Sequence, residues 1–220
     1  MKKKFDLNAE YQPKEFTFKD KAKVEEIINR YPKGRQQSAV MPLLDWAQRE
    51  VAEDGHKLNP PVGGWIPRAA MDHIAEILDI PPMRVYEVAS FYSMYNMEPV
   101  GKYLLQVCTT TPCWLCKSDD VMKAVKDKIG LSHNYETTAD GYFTLIEVEC
   151  LGACSNAPMV QINDDFYEDL TYERMVEIIE ALQKDEIPPK GPQNGRINSM
   201  AIGGATSLEK QAKKAGAKVA

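Results

Sequence analysis

Tyr103-Leu104-Leu105-Gln106-Val107-Cys108-Thr109-Thr110-Thr111-Pro112-Cys113 is an apolar run that ends on one cysteine and reaches a second five residues later. The same arrangement returns as Phe143-Thr144-Leu145-Ile146-Glu147-Val148-Glu149-Cys150-Leu151-Gly152-Ala153-Cys154. Each run has the length and the β-branched and aromatic content of a strand. The spacing is C-x4-C, a gap of 36 residues, then C-x3-C. The thiolate is the metal-binding form of cysteine, and a soft four-sulfur set selects zinc or an iron–sulfur cluster. The residue pattern alone leaves those two metals open.

Cys116 widens the choice further. Cys108-x4-Cys113-x2-Cys116 with a distant fourth cysteine is also the plant-type ferredoxin spacing. Cys113-Trp114-Leu115-Cys116 reads in addition as a redox dithiol, a reading that leaves Cys108, Cys150 and Cys154 without a role. A Rieske centre needs two histidines beside the cysteines, and His56, His73 and His133 adjoin neither pair. His73, in mid-helix, reads as a surface or packing residue.

Outward from the cysteines, the chain falls into two styles. Residues 1–16 lack periodicity and read as an extended arm. Residues 17–96 read as a helical bundle of four segments, about 19–30, 38–52, from Pro67, and from Pro81-Pro82 to about Tyr95. Pro42 belongs to the first turn of the second segment or kinks it. Met83, Tyr86, Phe91, Tyr92, Met94 and Tyr95 form a stripe that reads mainly as packing between helices, with a partner-facing surface as the alternative. Asn96–Gly101 is the predicted boundary. Residues 100–185 then alternate strand and helix, with strands at Tyr103–Val107 and Phe143–Val148. Helices follow over 118–129, capped by Gly130, and over 171–183. Met159–Ile162 and Phe166–Tyr167 read as a hairpin about Asn163-Asp164-Asp165, which lacks the spacing and the central Gly of a calcium loop. Residues 186–220 read as an extended or disordered tail. The fold class is α+β or α/β.

Composition narrows the function. The 220 residues are 44% hydrophobic and 27% charged, with net charge −5, which argues against a nucleic-acid binder. No run approaches the roughly 18 apolar residues of a membrane span, so direct membrane insertion is not expected. No apolar stretch follows Met1-Lys2-Lys3-Lys4, and five cysteines is an odd number. The expectation is a reducing compartment with metal-bound thiols, in a chain that is bacterial or given in mature form. Neither G-x-G-x-x-G nor a P-loop occurs, so the chain shows no sign of binding NADH, flavin or ATP itself.

The words around the cysteines resemble one family. Val107–Cys113, Glu149–Pro158, Met41-Pro42-Leu43-Leu44, Pro82–Ala89 and Gln161–Asp165 are similar to the 24 kDa-type flavoprotein subunit of the proton-pumping NADH:quinone oxidoreductase, respiratory complex I, over roughly residues 15–195. The resemblance implies a thioredoxin-like 2Fe–2S ferredoxin domain after an N-terminal helical bundle. It implies one 2Fe–2S cluster on Cys108, Cys113, Cys150 and Cys154, with Cys116 a spare thiol. FMN and NADH are then expected on a partner flavoprotein subunit, with which the cluster exchanges an electron. Other peripheral-arm subunits of the complex are further implied partners. The implied place is the cytoplasmic side of a bacterial inner membrane or the matrix side of a mitochondrial one. The implied activity is that of a subunit of NADH:quinone oxidoreductase. Related NAD-linked hydrogenases and formate dehydrogenases carry similar subunits. A zinc-stabilised scaffold is the reading of another class. Gly152 is expected to let the second loop turn, and Thr109, Thr110 and Thr111 to donate to sulfur.

Overall fold

A computed structural model describes residues 6–201, 203 and 207–216. The first five residues of the predicted arm, and 202, 204–206 and 217–220 of the predicted tail, lie outside the described residues. The chain divides into two compact units, Met1–Tyr103 with Thr137–Thr144 and Leu104–Glu136 with Leu145–Ala220.

The first unit is mainly helical. It holds α1 (Lys21–Asn29), a 3-10 turn (Gln36–Ala39), α2 (Val40–Gly55), α3 (Arg68–Leu78) and α4 (Pro82–Phe91). Asp20 caps α1 by accepting the Lys23 N–H. Pro42 falls in the first turn of α2, where its missing N–H costs nothing. Apolar residues at helical spacing bury one core that includes Ile27, Leu43, Leu44, Ile66, Met71, Ile74, Val85 and Tyr95. His73 packs its ring against Phe16 and Phe18, as a packing residue should.

Helix α4 stops four residues short of the predicted Tyr95. The backbone of Tyr92 is extended, and the turn after it carries Tyr95 into the core, where its hydroxyl donates to the Met41 carbonyl at 2.9 Å. The aromatic stripe is therefore split. Tyr95 is buried and Tyr86 partly so, but Met83, Phe91 and Met94 face solvent, Phe91 at 78% exposure. Periodicity marks an apolar face without saying whether a core or a partner covers it.

The sheet runs β2 (Glu136–Thr137), β3 (Phe143–Val148), β1 (Tyr103–Cys108), β4 (Val160–Ile162), β5 (Asp165–Glu168), β6 (Gly191–Pro192). Strands β1 and β3 start together: Lys102 N–H donates to Gly141 carbonyl and Tyr103 N–H to Tyr142 carbonyl. Strand β4 is antiparallel to β1, with Leu105 opposite Ile162. A two-residue turn, Asn163-Asp164, joins β4 to β5, and Asn163 takes the left-handed conformation such turns need. The Asn163 side chain also accepts the Leu104 N–H, fixing the turn to β1.

In the second unit a one-turn helix, α5 (Thr111–Leu115), precedes α6 (Ser118–Ile129), and α7 (Tyr172–Leu182) packs on α6. Gly130 ends α6 in the left-handed conformation, and Thr171 caps α7. Two elements of the tail depart from a plain extended reading. Strand β6 pairs parallel with β5, and α8 (Glu209–Lys214) is helical. Among the described residues, no helix is long and apolar enough to cross a membrane.

Glu50 is the exposed-looking charge that the first unit buries. It is 4% exposed, and its carboxylate accepts the Lys19 and Asp20 N–H groups and Trp46 Nε1 at 2.9–3.2 Å. Glu50→Ala leaves three part-buried donors without their acceptor. The expected cost is roughly 2 kcal/mol, a fall in Tm of about 6 °C for a chain of this size. Glu53→Ala, exposed on the same helix, is expected to stay within about 0.5 kcal/mol. Equal thermal shifts for the two would contradict this.

Candidate metal centre

Neighbouring strands deliver the cysteines. Cys108 is the last residue of β1, and β3 ends at Val148, two residues before Cys150. From Cys108 the chain turns through Thr109 and Thr110 into α5. Pro112 opens that helix where its lack of an N–H is harmless, and Cys113 follows. On the other side, Gly152 sits at φ +87 between Cys150 and Cys154, a conformation costly for residues with a side chain. Cys154 then starts a 3-10 turn, Cys154–Asn156.

Cys150 Sγ and Cys154 Sγ lie 3.2 Å apart, and the Gly152 N–H points to Cys150 Sγ at 3.4 Å. Thr110 Oγ1 lies 3.3 Å from Cys108 Sγ and also meets Cys150. Cys113 shares a hydrogen bond with Cys108 and feels the charge of Cys154. The structure thus gathers Cys108, Cys113, Cys150 and Cys154 into one group. Cys116 caps α5 and is exposed.

The pairs differ in burial. Cys108 and Cys113 are each 1% exposed and pack with Met159 under Leu151, Ala153, Ala157 and Phe166. Cys150 and Cys154 are exposed. Burial, with help from Cys108, pushes the Cys113 thiol up to about 12. Cys154, and then the Gly152 amide, hold the Cys150 thiol below its usual value, while Cys150 raises Cys154 in return. A buried thiolate needs a cation beside it, and a metal supplies one.

Two sequence readings need correction or addition. The Thr109 hydroxyl does not serve sulfur: it donates to Glu147 Oε1 at 2.6 Å. Met159 went unnoticed as the floor of the site. Nothing in the spacing of the cysteines marks it, because it comes from the approach to β4 and meets them only in the fold.

The thioredoxin-like [2Fe-2S] ferredoxin family matches over residues 24–183. One subunit of the NADH-quinone oxidoreductase of Rickettsia bellii is 50% identical over 179 residues, covering 81% of this chain and 100% of that one. The chain belongs to the thioredoxin-like [2Fe-2S] ferredoxin family. Flavoprotein 2 of the mitochondrial NADH dehydrogenase [ubiquinone] of Dictyostelium discoideum is 46% identical over 201 residues, 91% of this chain and 76% of that one. Among solved structures, an NAD+-reducing [NiFe]-hydrogenase aligns with a TM-score of 0.50 at 18% identity, over 64% of this chain and 23% of that one. That likeness is one of fold.

The donor set of this ferredoxin suits its family's cluster. Cys150 and Cys154 meet sulfur to sulfur, and Cys113 bonds to Cys108. A 2Fe–2S core has two irons and takes four thiolates, two on each. Gly152 supplies a backbone N–H to sulfur, the contact that stabilises cluster charge.

Iodoacetamide labelling of the metal-free chain tests the burial asymmetry. A lowered thiol value means more thiolate at a given pH, and thiolate is what reacts. At pH 7 Cys150 is expected to label well before Cys113. Raising the pH to 9 is expected to speed Cys113 by a larger factor than Cys150. Mass spectrometry showing equal rates at pH 7 would contradict the geometry.

Proposed function

We propose that this chain is the electron-transfer subunit of the NADH dehydrogenase module of a proton-pumping NADH:quinone oxidoreductase. It carries one 2Fe–2S cluster on Cys108, Cys113, Cys150 and Cys154. The observation that carries the reading is the meeting of two cysteine pairs at the ends of adjacent strands β1 and β3. Half identity to the Rickettsia protein over that protein's full length supports the choice of complex.

When bound, the cluster takes up and returns one electron. The protein's part is to hold it unevenly. Cys108 and Cys113 anchor one side among Met159, Leu151 and Phe166, away from water. Cys150 and Cys154 leave the other side at the surface, where a redox partner has access, and Trp114 and Leu115, which follow Cys113 in the chain, are exposed as well. The Gly152 amide offsets the negative charge that reduction adds.

On this reading FMN and NADH bind the larger flavoprotein subunit. Residues 17–96 form a helical bundle that holds that partner, and the exposed Met83, Phe91, Tyr92 and Met94 give it an apolar face to grip. Residues 100–185 carry the cluster, and the segment from 186 runs on from that domain. Other peripheral-arm subunits attach the assembly to a membrane, at the cytoplasmic face of a bacterial inner membrane or the matrix face of a mitochondrial one. The alternative, a diaphorase subunit of an NAD-linked hydrogenase or formate dehydrogenase, has the fold likeness in its favour.

Two single substitutions in the full chain test the ligand set. Cys154→Ser is expected to abolish the visible absorbance and the reduced-state EPR signal of the parent. Cys116→Ser is expected to leave both unchanged. The reverse pattern would place Cys116 among the ligands and refute the assignment.

A further inference from the structure

Asp169 and Arg196 form a largely buried ion pair, with side chains 7% and 13% exposed. Asp169 follows β5 in the left-handed conformation, and Arg196 follows β6 in the tail. Arg196 Nη2 lies 3.1 Å from Asp169 Oδ1. Its other terminal nitrogen, Nη1, donates to the Ser155 carbonyl at 2.8 Å. Ser155 is the residue after Cys154.

The pairing is incomplete. Arg196 Nε and Asp169 Oδ2 are buried without a hydrogen-bond partner. A guanidinium facing a carboxylate ordinarily makes two parallel bonds. Here one arm goes to the backbone of the cysteine loop. A buried pair that forgoes its second bond is a poor device for stability. It is a good device for fixing the one carbonyl it reaches.

Other bonds tie the same strap to the same turn. Asn156 is buried, and its Nδ2 donates to Glu168 Oε2 and to the Asn198 carbonyl, each at 2.8 Å. The Gln193 N–H donates to the Glu168 carbonyl, and the Asp169 N–H to the Asn156 carbonyl. Residues 193–198 therefore lie on the Cys154–Asn156 turn through Arg196 and Asn198, and on the end of β5 through Gln193.

We propose that Arg196, anchored by Asp169, is a positioning residue for the metal centre. It clamps the turn that carries Cys154 and sets a fixed positive charge against the backbone of that turn, at the Ser155 carbonyl. The proposal rests on the 2Fe–2S reading above. The clamp slows the opening of the Cys150–Cys154 loop, the exposed side from which iron is lost. The charge favours the reduced centre, which is more negative by one electron.

The test compares the full chain with Arg196→Gln, Arg196→Lys and Asp169→Asn. The readouts are iron loss to a chelator and the reduction midpoint by EPR titration. Arg196→Gln is expected to lose iron about tenfold faster. Its one-electron equilibrium should move roughly tenfold toward the oxidised form, about 59 mV lower. Asp169→Asn is expected to lose iron faster too, but to move the midpoint the opposite way, because it removes a negative charge. A purely structural role would not give opposite signs. Arg196→Lys keeps the charge without the fork, so its midpoint should stay near the parent's while iron loss is several-fold faster. Parent-like loss and midpoint in Arg196→Gln would overturn the proposal. If that variant does not fold, parent-like loss in Arg196→Lys overturns it. A parent chain without two irons would instead overturn the 2Fe–2S reading. The clamp is then judged on the metal-free chain by hydrogen exchange at the Asn156 amide, which bonds to the Ala153 carbonyl. Exchange about tenfold faster in either Arg196 variant supports it, and unchanged exchange refutes it.

Discussion

Two strands that lie side by side cannot end far apart when they also begin together, and the site depends on that constraint. Strands β1 and β3 are joined at their first residues through Lys102, Gly141, Tyr103 and Tyr142. Each is six residues long. One ends on Cys108, and the other stops two residues before Cys150. Sheet spacing, about 4.8 Å between neighbours, then brings both cysteine loops within bonding range of one small centre. Antiparallel β4 completes the arrangement by running back beside β1, so that its approach lays Met159 under Cys108 and Cys113.

Chemistry follows from the difference between the two loops. The first continues directly from a buried strand into a short helix, so its sulfurs sit where water does not reach. The second is a surface loop that Gly152 turns sharply, and its sulfurs remain exposed. A centre held this way is anchored on one side and open on the other. Electron exchange with a partner needs both properties. A zinc scaffold needs neither an open face nor donors divided into two pairs. The Arg196–Asp169 pair adds a brace to the open side, the side less secured by packing.

Much of this was legible in the chain. The β3 strand has the bounds its residues predict, and α6 ends at Gly130 because the left-handed conformation there suits glycine. Spacing marked the cysteines as metal-binding but left Cys116 in competition, and only the family words around them pointed to Cys108, Cys113, Cys150 and Cys154 and to iron. What escaped has a common physical cause. Met159, Arg196 and the β6 strand matter only through partners distant in sequence. Gly191-Pro192 has no local preference for a strand, and pairs because Tyr167 and Glu168 offer an edge. Helix α4 is shorter than its residues predict for a related reason. The turn at Tyr92 is set by the pull of Tyr95 into a core built by α2, not by the residues of α4. The exposed Met83 and Phe91 show the converse case. Their apolar character is a local fact, but whether a core covers them is not.

On the proposed function, four thiolates from two adjacent strand ends hold a two-iron redox centre. Iron and acid-labile sulfide analysis of the anaerobically purified full chain, with EPR spectra before and after dithionite, tests it most directly. Two irons and two sulfides per chain are expected, silent as isolated and paramagnetic with a single unpaired spin once reduced. Stoichiometric zinc without labile sulfide or a reducible signal would contradict it.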